Sequence, residues 1–205
     1  MRTLLLIVIA AIAYFCGGLN GAIISSRFIF HDDVRKHGSG NAGLTNFHRT
    51  YGIKGTAMVI GIDVLKSVVA VLVGGWLLSI VGEKTLGQVF AGFCLILGHI
   101  APVLYGFRGG KGVLCAGTMI LIVDPVAGLC CWAVFLLVVI CTRYVSLASM
   151  LACLSGPVFM VIFKHGGLEV LVVLLAALMV VVKHAENILR LIGGTESRLS
   201  FGQKK

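Results

Sequence analysis

Gly98-His99-Ile100-Ala101-Pro102-Val103-Leu104-Tyr105-Gly106-Phe107-Arg108-Gly109-Gly110-Lys111-Gly112 interrupts apolar sequence that stops at Gly98 and resumes at Val113. It reads as a loop between two hydrophobic helices. Four glycines between Gly106 and Gly112 let the backbone turn its N–H groups toward one point, and Arg108 and Lys111 add positive charge beside the start of the next helix. That is phosphate-binding chemistry. It is not a nucleotide P-loop, because the glycine five residues before Gly110 is missing and Gly112 replaces the Ser or Thr that would hold magnesium. A glycine-rich turn with two snorkelling cations at a membrane surface fits the same residues.

Outside this loop, composition sets the class. The 205 residues are 59% hydrophobic and 12% charged, with a mean hydropathy of +1.05, so a soluble domain of this size could not cover its surface with polar groups. An all-α polytopic membrane protein follows, read as one domain over 1–205. The net charge of +9 does not indicate nucleic acid, because the basic residues lie in short loops between apolar runs. All seven cysteines fall in apolar stretches without ligand spacing, so they read as small buried hydrophobes and not as a disulfide or metal framework.

Seven helices are expected: about 4–26, 52–78, 86–103, 113–123, 126–142, 145–163 and 169–183. Arg2 and the apolar run after it resemble a signal peptide. The run nevertheless continues to a spanning length, so it reads as an uncleaved first helix with Gly17 and Gly21 on one packing face. The 113–123 segment is short for a crossing, and Asp124-Pro125 breaks it from the next. Loops after helices one, three, five and seven carry thirteen Lys and Arg, against three on the other side. That bias places the N-terminus outside and the C-terminus in the cytoplasm.

The cytoplasmic side then holds three polar stretches, near 31–51, 98–112 and 184–196. In the first, Ser39, Asn41, Gly43, Thr45 and Asn46 interleave small polar groups with glycine, and Arg49 offers a bidentate fork for phosphate. Residues 31–37 read as a solvated turn. In the third, His184, Asn187 and Arg190 share a face if the last helix continues through them, which fits handling a proton and an anion. Ser149, one turn into helix six, suits either helix packing or an anion. Asp63 and Lys66 share a face of helix two, as an ion pair or as part of a site.

Together these stretches resemble the three motifs of the bacterial acyl-phosphate:glycerol-3-phosphate acyltransferases, the PlsY family. Ser39, Asn41, Gly43, Thr45, Asn46 and Arg49 match the first; Gly98, His99, Pro102, Phe107, Gly109, Gly110, Lys111 and Gly112 the second; His184, Asn187, Ile188, Arg190, Leu191, Gly194 and Glu196 the third. An Asp-x-x-Lys-Gly element is matched at Asp63 and Lys66, with Ser67 in place of the glycine, and Leu114-Cys115 stands where relatives usually have Ala-Thr. The resemblance implies a cofactor-free enzyme of the bacterial inner membrane, with no metal. It would move an acyl group from acyl phosphate to the 1-hydroxyl of sn-glycerol 3-phosphate, giving lysophosphatidic acid and inorganic phosphate. It assigns Gly109, Gly110 and Gly112 to glycerol-3-phosphate binding, and Ser39, Arg49, Lys111, Ser149, His184 and Asn187 to the reacting phosphates. His184 is expected to position a phosphate by donating to it, ahead of acting as a base, and Glu196 to be structural. A transporter of a small phosphorylated metabolite is the competing class, although no internal repeat is visible.

Overall fold

The computed structural model describes residues 1–199; Lys204 and Lys205, counted among the cytoplasmic cations, lie outside the described residues. The described chain is helical throughout: α1 Arg2–Gly18, α2 Gly21–Phe30, α3 Leu44–Tyr51, α4 Thr56–Ser79, α5 Lys84–Ile100, α6 Val113–Val123, α7 Pro125–Thr142, α8 Val145–Ile162, α9 Gly167–Lys183 and α10 Ala185–Ile192, with single 3-10 turns at Val34–Lys36 and Val103–Tyr105. Five segments are long and apolar enough to span a bilayer: Arg2–Phe30, Thr56–Ser79, Lys84–Tyr105, Pro125–Thr142 and Val145–Ile162. A sixth is the pair α9 and α10, bent by 58°. At 11 residues α6 is about 16 Å long, half the hydrocarbon thickness of about 30 Å.

Two expected helices break. The first stops at Gly18 and restarts at Gly21, because Asn20 caps the second piece: its side chain accepts from Ile23 N at 3.0 Å and donates to Ala42 O at 3.0 Å. Gly17 and Gly21 therefore do not share a face. A side chain at Gly17 would meet the Leu95 carbonyl on α5, whereas one at Gly21 would meet the Val59 carbonyl on α4. The last helix bends at His184, so His184 lies at a hinge and Asn187 and Arg190 on a separate short helix. At the other break the expectation holds. Asp124 accepts from Val126 N at 2.9 Å and Ala127 N at 3.0 Å, and Pro125 takes the first helical position, where no donor is needed.

Helix α5 is the axis of the bundle, contacting α1, α4, α6 and α9. Val71, Val89, Leu95, Ile96, Met119 and Val180 form a dry core around it. Leu65, Leu72, Trp76, Leu129, Leu136, Leu137 and Ile140 point outward, as side chains facing lipid should. Cys94, Cys115 and Cys131 are buried, but Cys141 is on the exposed outer face, because its register on α7 points away from the bundle. Helix ends α5, α7 and α9 and helix starts α6 and α8 meet at one end of the bundle, with residues 31–51 beside them. Residues 195–199 fold back onto the α7–α8 turn, where Leu199 N donates to Arg143 O at 2.8 Å.

Candidate active site

A cavity of about 1180 Å³, including its open mouth, lies at this end of the bundle. It is lined by Ser39, Asn41, Gly43, Thr45, Asn46, Arg49, Lys111, Gly112, Ser149, His184, Asn187 and Arg190, so all three polar stretches, far apart in the chain, converge on one volume. Gly109 lines the adjoining outer mouth instead, and Gly110 lines neither.

The glycine loop departs from the nest that its composition suggests. Gly109 N donates to Ile100 O at 3.2 Å and Gly110 N to His99 O at 3.0 Å, so both amides finish the end of α5 and are not free for an anion. A Cβ at Gly109 would lie 2.0 Å from His99 O, and one at Gly110 2.3 Å from His99 Nε2. These two glycines are required by packing. What faces the cavity is Lys111, Gly112 at φ +80°, and the N-terminus of α6 behind it.

Asn46, expected to bind substrate, is a scaffold residue. Its Oδ1 accepts from Ser39 N at 3.0 Å, while its Nδ2 reaches the carbonyls of Val34, His37 and Asn41 at 3.0–3.2 Å. Both ends of the amide are spent, and the loop is shaped by them. Residues 31–37 are likewise more than a solvated turn. Val34 is fully buried, and Arg35 grips Asp33 while donating to Tyr105 O at 2.9 Å, which ties this turn to the glycine loop.

The third stretch is organised by Glu196, whose side chain is buried. Its Oε1 accepts from Ser146 Oγ at 2.6 Å and Asn187 Nδ2 at 2.7 Å, and its Oε2 from Arg190 Nε at 2.8 Å. Burial alone would raise this carboxyl, but the three donors outweigh it and hold its pKa below the usual range. Asn187 turns its Oδ1 to Lys111 Nζ. Lys111 and Arg49 have no carboxylate partner among the described residues, and both face the cavity. Burial, then the nearby positive charge of Arg190, lowers Lys111 to about 8. A cation held at such cost without a carboxylate is suited to an incoming anion.

Ser149 Oγ donates to Val145 O at 2.8 Å, leaving its lone pairs toward the cavity. His184 Nδ1 lies 2.8 Å from Val180 O. A carbonyl only accepts, so Nδ1 carries a proton, and in the neutral ring Nε2 is bare. The sequence reading expected a donor to phosphate here; the donor nitrogen is instead spent on the helix.

A second space continues inward. It is almost wholly apolar, lies between α6, α7, α8 and α9, and shares Val113, Trp132 and Phe135 with the polar cavity.

The family model described as glycerol-3-phosphate acyltransferase matches residues 7–194. The chain belongs to that family. Among relatives named glycerol-3-phosphate acyltransferase, that of Clostridioides difficile (strain 630) is 44% identical over 97% of both chains, and that of Thermoanaerobacter sp. (strain X514) 38% over 95% of both. The acyltransferase fold also matches the crystal structure of PlsY (YgiH), an integral membrane glycerol 3-phosphate acyltransferase. Its glycerol 3-phosphate form superposes with a TM-score of 0.85 at 31% identity, covering 95% of this chain and 96% of that one. Its lysophosphatidic acid form gives 0.83 at 29%, covering 95% of each. Membership sets the transporter reading aside. Two lining residues, Trp132 and Phe135, carry no weight in a residue-by-residue sequence reading as site groups and are visible only through helix packing. Ser146, whose position at the start of helix six suits a cap or, like Ser149, packing or an anion, is instead spent on Glu196.

Proposed function

We propose that the cavity transfers an acyl group from acyl phosphate to the 1-hydroxyl of sn-glycerol 3-phosphate, releasing lysophosphatidic acid and inorganic phosphate. The observation that carries this reading is the joining of a cationic polar cavity to an apolar slot at the Val113, Trp132 and Phe135 seam. A substrate with a phosphate head and an alkyl tail matches that pair of spaces in polarity, which would place the bond to be broken near the seam.

The two spaces contribute differently. An acyl chain moving from bilayer to slot leaves one hydrocarbon for another, so the slot aligns the chain and adds little affinity. Binding rests on the heads: Arg49, Lys111, Arg190 and the start of α6 each supply charge-assisted donors worth about 1.5–3 kcal/mol. The mixed anhydride is already activated, so alignment and charge neutralisation supply most of the rate. His184 Nε2 accepts the hydrogen bond of the attacking hydroxyl and orients it, and the proton leaves with the departing phosphate. Ser39, Asn41, Gly43 and Thr45 form the wall opposite Asn187. The chain acts as one membrane domain in the bacterial cytoplasmic membrane, with the cavity on the cytoplasmic face where both phosphates reside. In that topology the N-terminus is outside and α6, with the α6–α7 break, serves as the seventh crossing.

The test is to incubate the purified chain in lipid with acyl phosphate and glycerol 3-phosphate, following lysophosphatidic acid and phosphate together. Equimolar formation of both is expected. Product formed only from an acyl thioester, or none, overturns the proposal.

A further inference from the structure

Beneath the glycine loop, Lys66 sits under the break between α1 and α2. Its ammonium donates to Gly17 O at 3.1 Å and Leu19 O at 3.0 Å, and meets His99 Nδ1 at 2.9 Å. Asp63 Oδ1, 2.7 Å away, supplies the countercharge and also accepts from Gly21 N at 3.1 Å. Four acceptors thus surround the three N–H bonds of Lys66, and the buried pair is satisfied.

This arrangement decides the His99 tautomer. An ammonium has no lone pair to offer, so Nδ1 must be the acceptor of that contact and the ring proton sits on Nε2. Asp63 Oδ1 is 3.8 Å from Nδ1, too far for a hydrogen bond that would hold a proton there. The His99 side chain is only 5% exposed, yet the residue lines the polar cavity, and Nε2 has no hydrogen-bond partner among the described residues. Nε2 abuts Gly110, close to the Ala42 carbonyl, at the foot of the Lys111 loop.

We propose that His99 is a phosphate-binding residue whose Nε2–H donates to an anionic oxygen of glycerol 3-phosphate, with Lys66 as the positioning residue that fixes the tautomer. The proposal rests on reading the cavity as the glycerol-3-phosphate site. It gives the cavity two histidines of opposite sense: His99 offers a donor to phosphate, and His184 an acceptor to the hydroxyl. Gly110 is then a glycine because the His99 ring occupies the place of its side chain.

The test is nitrogen NMR on the full chain in lipid nanodiscs with 15N-labelled histidine, assigning His99 by the signal lost in His99→Gln. A protonated Nε2 and an unprotonated Nδ1 are expected, with the Nε2 signal moving on addition of glycerol 3-phosphate and not of glycerol. An unprotonated Nε2, or a response to glycerol equal to that to glycerol 3-phosphate, overturns the proposal. In kinetics, His99→Gln keeps a donor near the Nε2 position and should raise KM for glycerol 3-phosphate by less than about 3-fold, whereas His99→Leu should raise it by about 10-fold or more. Equal KM values in the two variants overturn it. If His99→Leu does not fold, the wild-type titration still decides. Wild-type turnover, measured in parallel, separates this outcome from failure of the acyltransferase reading.

Discussion

Asn187 Nδ2 donates to Glu196 Oε1 at 2.7 Å across a helix end, which leaves the amide oxygen of Asn187 facing the Lys111 ammonium. The carboxylate therefore sets which way the cavity-lining amide of Asn187 points. Glu196→Gln should let the amides re-pair with Asn187 reversed, turning N–H toward Lys111. We expect kcat/KM to fall by about 2–4 kcal/mol of transition-state stabilisation in protein that is still folded. Glu196→Ala should also lower thermal stability, since Ser146, Asn187 and Arg190 lose their common acceptor. A Glu196→Gln variant with wild-type kinetics would show that the amide's orientation is unimportant.

Lys111 sets an alkaline limit. In the fold its pKa is depressed from 10.5 to about 8, so the cation is present below about 8 and lost above it. The profile of kcat/KM, which reports free enzyme, should fall above about pH 8; bound phosphate favours the charged form, so the fall in kcat should come at higher pH. The linkage runs the other way for stability. Between about 8 and 10.5 the unfolded chain binds more protons at this site, so the contribution of Lys111 to stability rises with pH. Loss of activity in that window with retained thermal stability is the expected signature, and Lys111→Arg should remove the limb.

For His184, the side chain's two ends separate the roles. His184→Asn can keep the bond to Val180 O but removes the Nε2 acceptor; His184→Gln places an amide oxygen near Nε2. We expect His184→Gln to retain measurable turnover, while Asn and Ala variants both lose about 2–3 kcal/mol more. Turnover by Asn above that by Gln would favour a phosphate donor at this position.

Gly110→Ala should act through His99. The added methyl would crowd His99 Nε2 and Ala42 O, both within 2.6 Å of its position. A raised KM for glycerol 3-phosphate together with a lowered melting temperature is expected. A raised KM alone would return the loop to direct backbone contact with phosphate.

Orientation is tested in intact cells with a membrane-impermeant thiol reagent and single cysteines in a cysteine-free background. A cysteine at Lys164 should be labelled and one at Lys36 protected, both being exposed positions at opposite ends of the bundle. The reverse pattern would invert the topology.

Sequence alone determined the class, the long apolar segments and the three polar stretches, because each rests on local chemistry: apolar length, Asp124-Pro125 as a stop and start, charge confined to loops. It also named Asp63 and Lys66 as a pair on one face, since helical spacing is enough for that. Tertiary structure decided what each polar group does. Whether the Gly109 and Gly110 amides face a phosphate or finish α5, and whether Asn46 binds substrate or shapes a loop, depends on which carbonyls lie within hydrogen-bond reach. The same holds for the tautomers of His99 and His184, set by Lys66 and Val180. A buried polar group must satisfy its partners, and partners tens of residues away, such as Ser146 for Glu196, are brought into reach only by helix packing.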